Sequence, residues 1–359
     1  MTILSRKTKL KLQSWGKIEL TRMKKRATSK TMIIFWLAFF ICIIYVNYGP
    51  KAYAHYFSYV FICLTIVSMA ISVRTTEYAN ITISNQKEKL AKQNELILKQ
   101  KKLVEEKNRE VLESITYAKR LQDAILPPIG LIQKYLPESF VLYKPKDIVA
   151  GDFYWMEALT NEVVLIAAAD CTGHGVPGAI VSVVCSNALN RVVKELGITE
   201  PGKILDKTRE LVLETFEKSE SNIQDGMDIS LCSLDIKNKR LQWSGAYNPL
   251  WVIAATKGAT VELPADKQPI GKTDKPMPFT THTMDLQKGD TLYLFTDGFA
   301  DQFGGPKGKK LKYKPFQEIL LAASHLPMNQ QATHLETIFS NWKGNLDQVD
   351  DVLVIGIRI

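Results

Sequence analysis

The chain has 359 residues, 46% of them apolar, with 46 Lys and Arg against 37 Asp and Glu, a formal net charge of +9. That length exceeds one average domain and is ample for a sizeable core. The charge is uneven: residues 1–126 hold 22 basic and 9 acidic side chains, residues 127–359 hold 24 and 28, so the C-terminal region lacks the basic footprint of a nucleic-acid binder.

Residues 1–30 carry ten Lys/Arg and one acid, Glu19, and read as a basic cytoplasmic tail. Residues 31–48 and 56–73 contain no charge. Each run approaches the roughly 17–25 residues that span a bilayer as a helix. Asn47, Tyr48, Gly49, Pro50 and Lys51 break the two runs. Residues 31–73 are therefore predicted as a transmembrane helical hairpin. The positive-inside rule puts both ends in the cytoplasm, giving a multi-pass protein of the cytoplasmic (inner) membrane. Tyr45, Tyr48, Tyr53, Tyr56 and Tyr59 suit interfacial anchors. The rival reading, a secretory signal peptide, fits poorly with a long basic region and an immediate second span.

Residues 74–126 contain no proline or glycine and predict one long helix. Ile83, Leu90, Ile97, Val104, Val111, Ala118 and Ile125 recur every seven residues, the signature of a left-handed coiled coil. The companion seam is mostly polar: Lys87, Asn94, Lys101, Asn108, Ile115, Gln122. Polar seam residues fix register and cost stability, which predicts a marginal parallel homodimer acting as a signalling linker. A lone charged spacer helix is the alternative. Pro127 and Pro128 end the helix.

From 127 to 359 a catalytic domain is expected. Strands are predicted over 139–144, 153–158, 162–169, 228–236, 240–245, 249–254, 279–285, 290–295 and 352–358. Helices are predicted over 178–196, 201–218, 314–324 and 329–342. Strands in sequence, split by a helix pair, indicate an α+β sandwich. There is no internal repeat and no nucleotide-type glycine fingerprint. Cys42, Cys63, Cys171, Cys185 and Cys232 show no paired metal-ligand spacing and suit reduced thiols.

Four stretches place aspartates beside glycine turns or strand ends: Gly151-Asp152, Asp170-Cys171-Thr172-Gly173-His174-Gly175, Thr296-Asp297-Gly298 and Asp350-Asp351. Oxygen-only donors suit hard cations, and the pattern points to metal-assisted hydrolysis of a phosphoester. Asp170 is the strongest candidate, a bridging ligand with the Cys171 backbone carbonyl beside it. His174 has two open readings, a general acid or a structural histidine in a glycine turn. Asp228, in Gly226-Met227-Asp228, is either a further ligand or a strand-end residue. The Lys- and Gly-rich segment 303–314 is either a flap touching an acidic substrate or a solvated loop.

These motifs, in this order, resemble the SpoIIE branch of protein phosphatase 2C-like serine/threonine phosphatases. The run from Ser114 to Ala118 and then Ala124-Ile125-Leu126-Pro127 also resembles the helix preceding that domain in membrane sensors. The resemblance covers about residues 110–359. It implies an α-β-β-α sandwich with two Mn²⁺ or Mg²⁺ ions and a water activated between them. Asp170 and Asp152, with His174, would be catalytic. Asp152, Asp170, Cys171, Asp297, Asp350 and Asp351 would form the metal set, Asp350 being the favoured ligand of its pair and Asp351 standing behind it. The implied substrate is phosphoserine or phosphothreonine on a bacterial regulator such as an anti-sigma-factor antagonist. Many relatives have histidine where this chain has Tyr247, and His174 lies two residues later than the matching histidine of eukaryotic relatives. A catalytically silent scaffold for phosphoproteins and a phosphatase for small esters remain as alternatives.

Overall fold

The computed structural model describes residues 30, 32–45, 47–48, 54–160, 162–217, 225–255 and 258–359. The expected basic tail up to residue 29, residues 49–51 of the hairpin break, the anchor Tyr53 and the predicted helix end at Lys218 lie outside the described residues. Two compact units are present, Met1–Glu106 and Lys107–Ile359.

The first unit contains helix α1 (Met32–Tyr45) and most of helix α2 (Ala54–Asp123). Aromatic rings join them in reverse chain order. Phe35 and Phe39 meet Phe61 at 5.7 and 6.0 Å between ring centres, and Tyr45 meets Phe57 at 4.1 Å. The apolar stretches therefore run antiparallel. Ile34, Phe40, Ile66 and Met69 point outward, each more than 60% exposed. The apolar window of α2 has a mean hydropathy of 2.0 with none of it buried. This is the reverse of a soluble amphipathic helix, which hides its apolar stripe. Further along, α2 becomes charged and supports itself through i,i+4 pairs such as Glu88–Lys92 and Glu95–Lys99. The seam residues Leu90, Ile97 and Val104 stay 47–57% exposed. With no proline or glycine to interrupt it, α2 runs for 70 residues and ends just before the Pro127-Pro128 break.

In the second unit α3 (Ile129–Tyr135) leads into β1 (Ser139–Lys144), β2 (Phe153–Ala158) and β3 (Val163–Cys171). Helix α4 (Gly175–Asn190), a π turn (Arg191–Glu195) and α5 (Pro201–Glu217) follow. Then come β4 (Met227–Asp235), β5 (Arg240–Ala246), β6 (Leu250–Ala254), β7 (Ala259–Leu263), β8 (His282–Asp285) and β9 (Thr291–Phe295). The chain closes with α6 (Gly298–Asp301), β10 (Phe303–Gly304), β11 (Lys309–Lys310), α7 (Tyr313–Ala323), α8 (Met328–Lys343) and β12 (Val352–Arg358).

Two five-stranded antiparallel sheets result, ordered β1-β12-β9-β6-β7 and β2-β3-β4-β5-β8. Side chains alternate across each strand. In β9, Leu292 and Leu294 enter the central core while Tyr293 and Phe295 join Phe316 and Phe339 in the outer one. β12 alternates likewise, Leu353 and Ile355 inward, Val352 and Val354 outward. Helices α4 and α5 lie over β3 and β5, and α7 and α8 over the other sheet. The architecture is the expected α-β-β-α sandwich.

Several local expectations shift. The helix predicted from 178 begins at Gly175 and closes in the π turn, and the strand predicted from 279 begins at His282. Strand β7 was not anticipated, because an edge strand with mostly exposed or half-buried side chains has little apolar alternation. Helices α3 and α6 are too short to show a period. Segment 303–314 includes the β10–β11 hairpin with an exposed tip at 306–310, held by Gly305 N–H to the Trp342 carbonyl at 2.8 Å and Lys312 N–H to the Ala300 carbonyl at 2.6 Å.

Candidate metal centre

Strand pairing gathers the aspartates at one rim. Asp170 faces Asp228 across β3 and β4, and Phe153, next to Asp152, faces Ala169. In the other sheet Phe295 faces Val354, so Asp297 just past β9 comes level with Asp350 and Asp351 just before β12. Between the rims lies a cavity of about 310 Å³ lined by Asp170, Asp228, Asp297, Asp350, Cys171 and His174. Asp152 is 2% exposed. Its Oδ2 accepts a 2.6 Å hydrogen bond from the Thr296 hydroxyl, which in turn accepts from Leu353 N–H at 3.0 Å. Thr296 thus ties a residue of one sheet to two strands of the other.

The glycines let these turns nest. A Cβ on Gly178 would lie 2.1 Å from the Gly173 carbonyl oxygen, and one on Gly151 would lie 2.3 Å from the same atom. The Asp170–Gly175 turn is therefore wedged between the start of α4 and the Asp152 loop, where any side chain would force them apart.

Burial and mutual repulsion hold the carboxyls of Asp152, Asp170, Asp228 and Asp297 protonated above the usual range. Burial comes first for each of them. Asp152 is raised further by Asp170, and Asp170 by Asp297, Asp350 and Asp228. Asp297 is pushed up to about 6, with Asp350 and Asp301 contributing and Lys310 opposing. Asp228 is pushed up to about 7, with Asp297 contributing. Burial also pushes up the Cys171 thiol, beside Cys185. The thiol is thus unsuited to ligation, and the backbone carbonyl is the oxygen Cys171 has to offer. Among the described residues no three His, Cys, Asp or Glu side chains close into a ready cage. A divalent cation would offset the charge these acids carry once ionised. An oxygen-only donor set of this charge fits Mn²⁺ or Mg²⁺.

Asp351 departs from the expected metal set. Its Oδ1 accepts from Lys146 N–H and its Oδ2 from Gly151 N–H, both at 2.7 Å. Both oxygens are spent on main-chain donors, so Asp351 clamps the loop leading to Asp152. Asp350 is the member of the pair that faces the cavity. His174 caps α4 with extended backbone. Its Nδ1 lies 2.9 Å from Asp147 Oδ2 and its Nε2 lies 2.9 Å from Lys146 Nζ. An ammonium can only donate, which assigns the ring proton to Nδ1 and leaves neither nitrogen free to protonate a leaving group. Tyr247 follows β5 in a left-handed conformation, φ 54°, and does not line the cavity.

Sequence reasoning gave no role to Lys146, Asp147 or Thr296. For Lys146 and Asp147 no local signal existed, because their roles depend on a turn 27 or 28 residues away. For Thr296 the signal was its place inside the Thr-Asp-Gly motif.

Residues 160–359 match the family described as Stage II sporulation protein E (SpoIIE). The SiaA-PP2C domain of Pseudomonas aeruginosa is similar at 30% identity with a TM-score of 0.63, covering 70% of this chain and 98% of that one. The phosphatase domain with a regulatory fragment of SpoIIE from Bacillus subtilis is similar at 19% identity, TM-score 0.49, covering 62% and 63%. The serine/threonine phosphatase PstP/Ppp of Mycobacterium tuberculosis is similar at 14%, TM-score 0.43, covering 62% and 97%. No curated protein sequence matches this chain. With more than half its length in the family match, and its carboxylates at one rim of a two-sheet sandwich, the chain belongs to the SpoIIE family of PP2C-like, metal-dependent protein phosphatases.

Proposed function

We propose that this chain is a membrane-anchored serine/threonine phosphatase acting on a phosphorylated bacterial regulatory protein, an anti-sigma-factor antagonist being the kind expected. The observation that carries the reading is the convergence of Asp170, Asp228, Asp297 and Asp350 on one cavity with Asp152 beneath it. Asp152, Asp170, Asp297 and Asp350, with the Cys171 carbonyl, would hold two Mn²⁺ or Mg²⁺ ions. When bound, the cations offset charge on the phosphoryl oxygens and make water a better nucleophile. Thr296 fixes the Asp152 carboxyl. Asp351 fixes the loop before it. Lys146, held beside His174 at the cavity, presents a cation to an incoming phosphate.

The antiparallel apolar stretches support a hairpin in the inner membrane, spanning 31–73, with the tail 1–30 and the catalytic region 127–359 in the cytoplasm. The uncovered heptad positions Leu90, Ile97, Val104 and Val111 support a homodimer through the 74–126 linker. The test is phosphate release by the full chain in detergent micelles with manganese, from a phosphoserine protein and from p-nitrophenyl phosphate. A higher kcat/KM on the protein is expected. A higher value on the small ester points to a metabolite phosphatase, and tight binding without release points to a scaffold.

A further inference from the structure

We infer that Gln122 is a positioning residue of the metal centre: from the end of helix α2 it holds the main chain at Ala150 and so sets where Asp152 points. The inference rests on the metal-dependent reading of the site above. Gln122 is 3% exposed, although Leu121 beside it is 56% exposed. Its Nε2 donates to the Ala150 carbonyl at 2.6 Å, and Ala150 N–H donates back to its Oε1 at 3.1 Å. The same Nε2 reaches Ser182 Oγ of α4 at 3.0 Å. The amide therefore gives Ala150 the reciprocal pair that a neighbouring strand would give it, and anchors itself on α4 as well.

Four clamps then act on three consecutive residues. Gln122 holds Ala150, Asp351 holds Gly151 N–H, Thr296 holds the Asp152 carboxyl, and the Tyr143 hydroxyl donates to the Asp152 carbonyl at 3.0 Å. The last three come from strand β1 or the ends of β9 and β12, and only the first comes from the helix. Gly151 is the weak point of this run, having no side chain to resist rotation about its backbone. It cannot acquire one, because a Cβ there would collide with the Gly173 carbonyl. The orientation of Asp152 consequently depends on its neighbours being fixed from outside, and metal sites are sensitive to such outer support.

The test uses the full chain in detergent micelles, with manganese affinity read by titration calorimetry and folding read by thermal unfolding in EDTA. Gln122→Ala is expected to weaken manganese binding about tenfold, the lower end of what outer support is worth. In combination with Asp152→Asn the two losses do not multiply, since both act through one carboxylate. Gln122→Glu keeps the shape and still accepts from Ala150 N–H but loses both donated bonds, and it is expected to weaken binding too. It carries the same cycle if Gln122→Ala does not fold. Arg120→Ala, on the exposed side of the helix, binds as the parent. Parental affinity in both Gln122 variants, or losses that multiply with Asp152→Asn, overturns the inference. Normal manganese binding without turnover would instead sink the phosphatase reading and leave this one standing.

Discussion

Thr296 and His174 show how single residues divide the work of the site. The Thr296 hydroxyl donates to Asp152 and accepts from Leu353 N–H, so it orients an acid that burial would otherwise leave protonated and loose. His174 has both ring nitrogens engaged, by Asp147 and Lys146. A histidine held this way shapes the rim and steadies Lys146 without donating a proton. His174→Ala is therefore expected to lower kcat less than tenfold, well short of the roughly 10²–10⁴-fold that general acids supply. The check is kcat at saturating manganese, with KM for the phosphoprotein rising as Lys146 loses its support. Asp350 and Asp351 carry a related lesson. An Asp-Asp pair announces a ligand, but only the fold decides that one faces the cavity and the other clamps a loop.

At the scale of elements, what was legible followed from local pattern. β9 and β12 alternate cleanly between two cores, and their strands were found within a residue of their observed bounds. Helices α5, α7 and α8 carry a strong apolar face and were found equally well. β7 and the β10–β11 hairpin were not found, because edge strands and lysine-rich turns owe their shape to distant partners, here Trp342 and Ala300. The loop from Lys146 to Asp152 was illegible for the same reason, since its hydrogen bonds go to residues far along the chain. Helix α2 was legible as a helix, while its association depends on a second copy. Its seam residues Leu90, Ile97 and Val104 stay exposed in a register that suits a parallel pair. Val104→Glu in the full chain is expected to shift the detergent-solubilised protein from dimer to monomer by light scattering. An unchanged mass would remove the coiled coil from the account.

The molecule as a whole combines an apolar helical pair with a catalytic sandwich whose rim is an acid trap. In the metal-free protein Asp297 and Asp228 hold protons up to about pH 6 and about pH 7, whereas free aspartate loses its proton near about 3.9. Between those values the folded chain binds more protons than the unfolded one, so stability falls as pH rises. Cations replace those protons, and their benefit grows with pH. Thermal unfolding in EDTA is expected to shift downward from about pH 5 to about pH 7.5, with the manganese-induced rise in Tm widening over the same range. A flat profile in EDTA would mean the acids do not crowd as described. The most direct test of the central claim is manganese-dependent phosphate release from a phosphoserine protein by the full chain, alongside Asp170→Asn and Asp297→Asn. The account predicts release that requires the metal and is lost in both variants while the folded state persists. Release that continues without metal, or survives both substitutions, would contradict it.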